Sequence, residues 1–202
     1  DRMYPDTDSP PIPLEDSRIE ELGRNLPGDI LERYHQLQAW GVPEDTYTFL
    51  FRRNLYPLVE RCVNELEMDP VFAGTFFGHR VKWAEGQHRG QQRISYDVIF
   101  ALFRFLKQEG LAWDLAYRML PVIYQHPKMD FESILNVLKF KRINKDKILS
   151  NLPFLQEKFR KIRINEGEAA EVRWIMGQLA PMAYGNIPLR ELAMQLGQST
   201  SS

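Results

Sequence analysis

Asp97-Val98-Ile99-Phe100-Ala101-Leu102-Phe103-Arg104-Phe105-Leu106-Lys107-Gln108-Glu109-Gly110 decides the fold class. Ile99, Leu102, Phe103 and Leu106 stand at i, i+3, i+4 and i+7, the spacing that places four side chains on one face of an α-helix. A half-buried strand would alternate in twos instead. Asp97 opens or caps this helix, and Glu109-Gly110 ends it.

The same period continues on both sides. Residues 112–125 read as the next helix, closed by His126-Pro127, and Phe131, Ile134, Leu135 and Leu138 mark a short one after it. Toward the N-terminus, Phe72 to Ala84 reads as a helix with Phe76, Phe77 and Trp83 as core anchors; Gly74 and Gly78 within it read as packing points. Leu58, Val59, Cys62, Val63 and Leu66 form an apolar stripe that runs to the break at Met68-Asp69-Pro70. Glu44 to Arg53 is helical. Residues 29–40 place Ile30, Tyr34, Leu37 and Trp40 at near-helical spacing, with Asp29 as N-cap and Gly41-Val42-Pro43 as the stop. Residues 86–95 are almost wholly polar and read as an exposed loop.

Toward the C-terminus a helix runs to Ile162, another spans about 169–183, and a last one about 188–196. Pro181 should kink or end the second of these. Between the last two, Gly185 suits a left-handed helix end, Asn186 an N-cap and Pro188 a first turn. Phe154 and Phe159 read as core residues. No β-branched run alternates with period two, so the chain reads as all-α. The expected division is an extended Pro-rich strap over 1–17, a helical domain over 18–142, a small helical tail domain over 143–198 and a disordered tail over 199–202.

With 202 residues, 44% hydrophobic and 26% charged, the chain has an ordinary globular composition. No apolar stretch approaches the roughly 20 residues of a membrane helix, so no membrane partner is expected. One cysteine, Cys62, excludes an internal disulfide framework and fits a reduced, cytoplasmic setting. The four histidines, His35, His79, His88 and His126, have no metal-ligand spacing. No Gly-rich phosphate cradle and no nucleophile elbow is present. Cys62, on an apolar stripe, reads as a small hydrophobe, and Glu65, Glu67 and Asp69 read as surface charge. No catalytic or metal-binding constellation and no cofactor site emerges.

Charge is segregated instead. The net charge is −1, yet residues 1–70 carry 15 Asp/Glu against 7 Lys/Arg, while residues 139–163 carry 9 Lys/Arg against 2 Asp/Glu. A basic stretch of this kind is either a solvated helix face or a polyanion-binding surface. Its members are Lys139, Lys141, Arg142, Lys145, Lys147, Lys158, Arg160, Lys161 and Arg163. A second cluster runs from Arg80 and Lys82 to Arg93, with His88 among them.

The first residues, Arg2-Met3-Tyr4-Pro5-Asp6-Thr7-Asp8-Ser9-Pro10-Pro11-Ile12-Pro13, hold four prolines and cannot form a helix. They read as a strap between domains, which makes the chain a piece of something longer. This stretch resembles the end of the catalytic cradle in tRNA-dependent amidotransferases. The B-type chains of that family have a similar Arg-Tyr-Phe-Pro-Glu-Pro-Asp-Leu-Pro-Pro pattern, and the wording here is closer to the E-type chains, the glutamyl-tRNA(Gln)-specific relatives. Trp174-Ile175-Met176-Gly177-Gln178-Leu179-Ala180-Pro181-Met182-Ala183-Tyr184-Gly185-Asn186, followed by Leu189-Arg190-Glu191-Leu192, is similar to the family's YqeY-like tail.

The resemblance implies a parent ligase that phosphorylates the glutamate of Glu-tRNA(Gln) with ATP and magnesium. It then amidates the activated carboxyl with ammonia from an amidase- or asparaginase-like partner subunit. This chain would hold the helical and tail domains that grip tRNA(Gln), without the catalytic site and with no cofactor of its own. The family's inter-helix turn carries Gly-Lys or Gly-Arg and its last helix an early Lys. Here the turn is Gly185-Asn186-Ile187-Pro188 with Arg190 nearby, which shifts the expected tRNA contacts to Arg173 and the basic stretch. The expected contact set is Lys139, Lys141, Arg142, Lys145, Lys147, Lys158, Lys161, Arg163, Arg173 and Arg190. The competing reading is a helical protein-interaction module without tRNA affinity.

Overall fold

The computed structural model describes residues 15–24, 29–88, 94–162 and 168–200, and among them no strand occurs. The α-helices are α1 (Asp16–Arg24), α2 (Ile30–Ala39), α3 (Tyr47–Arg52), α4 (Tyr56–Leu66), α5 (Pro70–Thr75), α6 (Lys82–Gln87), α7 (Tyr96–Gln108), α8 (Ala116–Gln125), α9 (Phe131–Val137), α10 (Lys145–Leu149), α11 (Leu152–Lys161), α12 (Glu168–Ala183) and α13 (Leu189–Thr200). The strap over 1–14, the loop residues 89–93, Arg163 and residues 201–202 lie outside the described residues.

Local chemistry sets many of these ends. The Asp29 carboxylate accepts from the Leu31 amide (3.0 Å), Asp69 from Phe72 (2.8 Å) and Asp130 from Ser133 (2.9 Å). Each such cap stabilises its helix by about 1 kcal/mol. At the other ends Gly41 and Gly110 take φ +69° and +62°. The amides that follow them return to Leu37 and Leu106, closing the helix end as a six-to-one turn.

The buried side chains fall into two cores. The first runs from Leu37 to Leu135 and centres on Phe76, Phe77 and Phe103. Phe76 and Phe103 meet edge to face, with ring centroids 4.8 Å apart. The second core joins Ile148 and Leu155 to Ile175, Leu179, Ala183, Ile187, Leu192 and Leu196. Gly74 and Gly78 are packing points: a Cβ on Gly74 would lie 2.4 Å from Val42 Cγ1, and one on Gly78 would lie 2.3 Å from Thr46 Cβ.

Several expectations are corrected. α5 and α6 are joined by a π-helical turn, Phe76–Val81, so the rod is continuous from Pro70 to Gln87. One extra residue in that turn moves the phase beyond it by about 100°. Trp83, seven residues after Phe76, therefore turns outward and is 49% exposed. Phe154 is not core but 65% exposed, because Leu155 and Phe159 supply the inner face of α11. Ile30 is exposed as well.

Ser95, not Asp97, caps α7, its hydroxyl accepting from the Asp97 amide. Pro181 sits inside the last turn of α12, which ends at Ala183 as the sequence pattern has it. Asp16 and Ser17 begin α1 instead of ending the strap. α13 runs on to Thr200, past the expected frayed end at 199.

Candidate nucleic-acid interface

The basic stretch begins where α9 ends. Lys139 takes φ +51°, and the Phe140 amide donates back to the Leu135 carbonyl at 2.9 Å. A lysine in this left-handed conformation costs about 1 kcal/mol that glycine would not. Its side chain is exposed and forms no ion pair among the described residues. The same is true of Lys141, Lys147 and Lys158, of Arg160, and of Arg190 in the first turn of α13.

Three expected contacts are already engaged. Arg142 binds Glu109 at 2.6 Å and Glu132 at 2.5 Å, and the bond to Glu109, with Glu132 beside it, holds its guanidinium above the ordinary range. Lys145 pairs with Glu191. Lys161 pairs with Glu157 one turn earlier, at 2.6 Å. These acids lie up to 46 residues away along the chain, so counting charges within 139–163 overstated the free charge. Arg173 lies on α12 and is exposed; Arg163 lies outside the described residues.

The Tyr184-Gly185-Asn186 turn joins the two cores. Gly185 takes φ +79°, as a helix-end glycine should, and is buried. Its carbonyl accepts from the Ala112 amide at 2.9 Å, and the Tyr184 hydroxyl donates to the Asp114 carbonyl at 2.8 Å. Asn186 does not cap α13. Its side-chain oxygen accepts from the Ile143 amide (3.0 Å), and its nitrogen donates to the carbonyls of Lys141 (3.0 Å) and Met182 (2.9 Å). The turn is thus occupied with contacts inside the chain.

Against it stands Asp114, a group that the sequence did not single out. Both of its carboxylate oxygens are buried and have no hydrogen-bond partner among the described residues. Burial pushes its pKa up to about 6; the amides of Gly185, Leu115 and Asp114 itself soften the shift without reaching bonding geometry. Two arginines lie over nearby tyrosine rings. The Arg118 guanidinium lies 5.7 Å from the Tyr184 ring centre, and that of Arg80 lies 4.8 Å from Tyr117.

The second expected cluster is less available. Arg80 is taken up by Tyr117, His79 bonds Asp45 at 3.0 Å, and His88 stacks on Tyr124. Arg89 and Arg93 lie outside the described residues. Cys62 is buried, and burial pushes its thiol up to about 12, which leaves no thiolate nucleophile near neutral pH. Among the described residues no three His, Cys, Asp or Glu side chains come together as metal ligands, and no helix is long and apolar enough to cross a membrane.

On α11 the outer face carries Phe154, Lys158 and Lys161 at i, i+4 and i+7. The inner face carries Leu155, which is buried, and Phe159, whose ring centre lies 5.7 Å from that of Trp174. An exposed ring beside cations can offer both stacking and phosphate contact.

No family model matches the chain, and no solved structure does. Two curated proteins are similar to it. One is the B-type chain of the aspartyl/glutamyl-tRNA(Asn/Gln) amidotransferase of Pseudothermotoga lettingae, 23% identical over 155 residues, which are 75% of this chain and 32% of that protein. The other is the E-type chain of the glutamyl-tRNA(Gln) amidotransferase of Methanopyrus kandleri, 24% identical over 130 residues, 64% of this chain and 20% of that protein. The chain therefore resembles a segment of the B-type and E-type chains of these amidotransferases, and it spans about a third or less of the relatives' length.

Proposed function

We propose that this chain is the tRNA-gripping helical part of a tRNA-dependent amidotransferase component of the B/E type. The parent enzyme would convert Glu-tRNA(Gln) to Gln-tRNA(Gln), using ATP, magnesium and ammonia supplied by an amidase- or asparaginase-like partner subunit. In this reading the first core is the helical domain and the second, from residue 143, the YqeY-like tail. ATP and magnesium are assigned to no residue of this chain, and the carbon–nitrogen ligase chemistry belongs to the rest of the parent.

The observation that carries the reading is that five of the expected contacts, Lys139, Lys141, Lys147, Lys158 and Arg190, are exposed and form no ion pair among the described residues, on a chain similar to B-type and E-type relatives. Lys and Arg side chains that neutralise phosphates release condensed counterions, so such binding weakens steeply with salt. Five phosphate contacts predict a loss of roughly 100- to 500-fold between about 50 and 200 mM salt. Arg142, Lys145 and Lys161 are already neutralised, so they are expected to add less; Arg173 is the further exposed candidate.

The test is binding of this chain to tRNA(Gln) by fluorescence anisotropy at both salt concentrations. Joint Lys139→Ala and Lys141→Ala substitution is expected to flatten the salt dependence by about two contacts. Absence of binding at both salt concentrations would overturn the proposal.

A further inference from the structure

We infer that Phe154 is a stacking platform for an unpaired base, with Lys158 holding the adjoining phosphate, so that this face takes looped or single-stranded RNA instead of duplex. The inference rests on the tRNA-binding reading above and adds to it the part of the RNA that is gripped.

Phe154 is the most exposed large apolar side chain among the described residues, at 65%. Packing among the described residues does not account for that exposure. The buried side of α11 is complete without it, through Leu155 in the second core and Phe159 against Trp174. A phenylalanine left in water forgoes the stabilisation that burial would give.

Its surroundings select the ligand. Lys158 lies one turn further along the same face, about 6 Å along the axis, and has no ion pair among the described residues. Arg160 and Lys161 complete a basic last turn, and Ile162, 48% exposed, follows it. The acid nearest in sequence, Glu157, is held by Lys161. A flat ring next to a free cation suits a ligand that offers a planar apolar face and a negative charge one step away. An unpaired nucleotide is such a ligand. A duplex hides its base faces, and an apolar protein groove would leave Lys158 desolvated without a partner.

Trp83, the other exposed large aromatic among the described residues, lacks this arrangement. Arg80, one turn before it, is drawn onto Tyr117, and Glu85 is held by Arg53 at 2.8 Å.

The experiment compares wild type, Phe154→Ala, Phe154→Trp and Lys158→Ala. Each is titrated with tRNA(Gln) and with a fully paired RNA of equal length, over a series of salt concentrations. Loss of one stacked base corresponds to roughly 5- to 150-fold. Phe154→Ala is expected to weaken tRNA binding within that range while leaving the slope against salt unchanged. It should not alter binding to the duplex. Phe154→Trp should restore affinity, and Lys158→Ala should lower the slope by about one contact.

If Phe154→Ala binds tRNA like wild type while the cation variants weaken, the platform is refuted and the tRNA-binding reading stands. Equal losses on tRNA and duplex would also refute it, because base stacking would then not be the cause. If wild type binds neither RNA, the reading beneath it fails as well. An unchanged unfolding midpoint for Phe154→Ala, expected for so exposed a ring, keeps a folding defect from imitating the result.

Discussion

Replacing Asp114 with Asn should make the protein more stable above pH 6, and the gain should disappear in acid. The carboxyl pKa is pushed from 3.8 to about 6 by burial. The shift is about two units, and each unit is about 1.4 kcal/mol of differential stability between protonation states, which sets a ceiling near 3 kcal/mol. The oxygens are shut from water, but the residue as a whole is only half-buried, so solvent screening reduces this to about 1–2 kcal/mol.

The sign follows from proton binding. Between about pH 4 and pH 6 the native state keeps the Asp114 proton while the unfolded state releases it. The native state then binds more protons, so the stability contributed by this group is complete below about pH 4 and is lost as pH rises through 6. Asn cannot ionise and escapes the penalty. Urea unfolding of wild type and Asp114→Asn at about pH 4.5 and pH 7.5 isolates the effect, because the other carboxylates cancel in the difference. The variant should gain about 1–2 kcal/mol relative to wild type between the two pH values, with an unchanged dependence on urea. A difference that is independent of pH, or that favours wild type more at pH 7.5, would refute the reasoning.

Other consequences can be measured directly. Gly185→Ala places a side chain at φ +79°, with its Cβ 2.9 Å from a Phe140 ring carbon and 3.0 Å from a Leu115 methyl. It should lower stability by at least about 1–2 kcal/mol in urea unfolding. Cys62 should resist an aromatic disulfide reagent at pH 8 until denaturant is added, since burial holds its thiol near 12; fast labelling of native protein would contradict this. Arg142→Ala should reduce the salt dependence of tRNA binding less than Lys141→Ala does, because two carboxylates already hold the guanidinium. Its cost in stability should stay near or below about 1 kcal/mol, as for exposed ion pairs.

Much of the helical order was legible because it depends on near neighbours. The spacing of Ile99, Leu102, Phe103 and Leu106, the Asp29 cap and the Gly110 stop are all local signals, and each holds in the structure. What failed depended on features that the local pattern does not carry. A π-turn inserted one residue into the period and rotated Trp83 outward. Phe154 and Leu155 are adjacent and apolar, and only the position of α12 decides which of them faces inward. The basic stretch was visible, but the acids that neutralise part of it, Glu109, Glu132 and Glu191, lie outside it, 10 to 46 residues from their partners. Asp114 gave no signal at all. An acid after a glycine turn looks like surface charge until Tyr184 and Gly185 close over it.

The Asn186 side chain has a topological consequence. By bonding Lys141, Ile143 and Met182 together, it brings two chain positions more than forty residues apart to one point. The path through α10, α11 and most of α12 therefore departs from and returns to the same place, like a drawstring pulled shut. Lengthening the chain between Ile162 and Glu168 leaves the closure untouched, and extra residues there cost only slowly growing entropy. Changing Asn186 removes three bonds at this neck at once, while the Lys145–Glu191 pair and the packing of Ile187 in the second core still span it. Variation in size is thus cheap along the circuit and expensive at its neck.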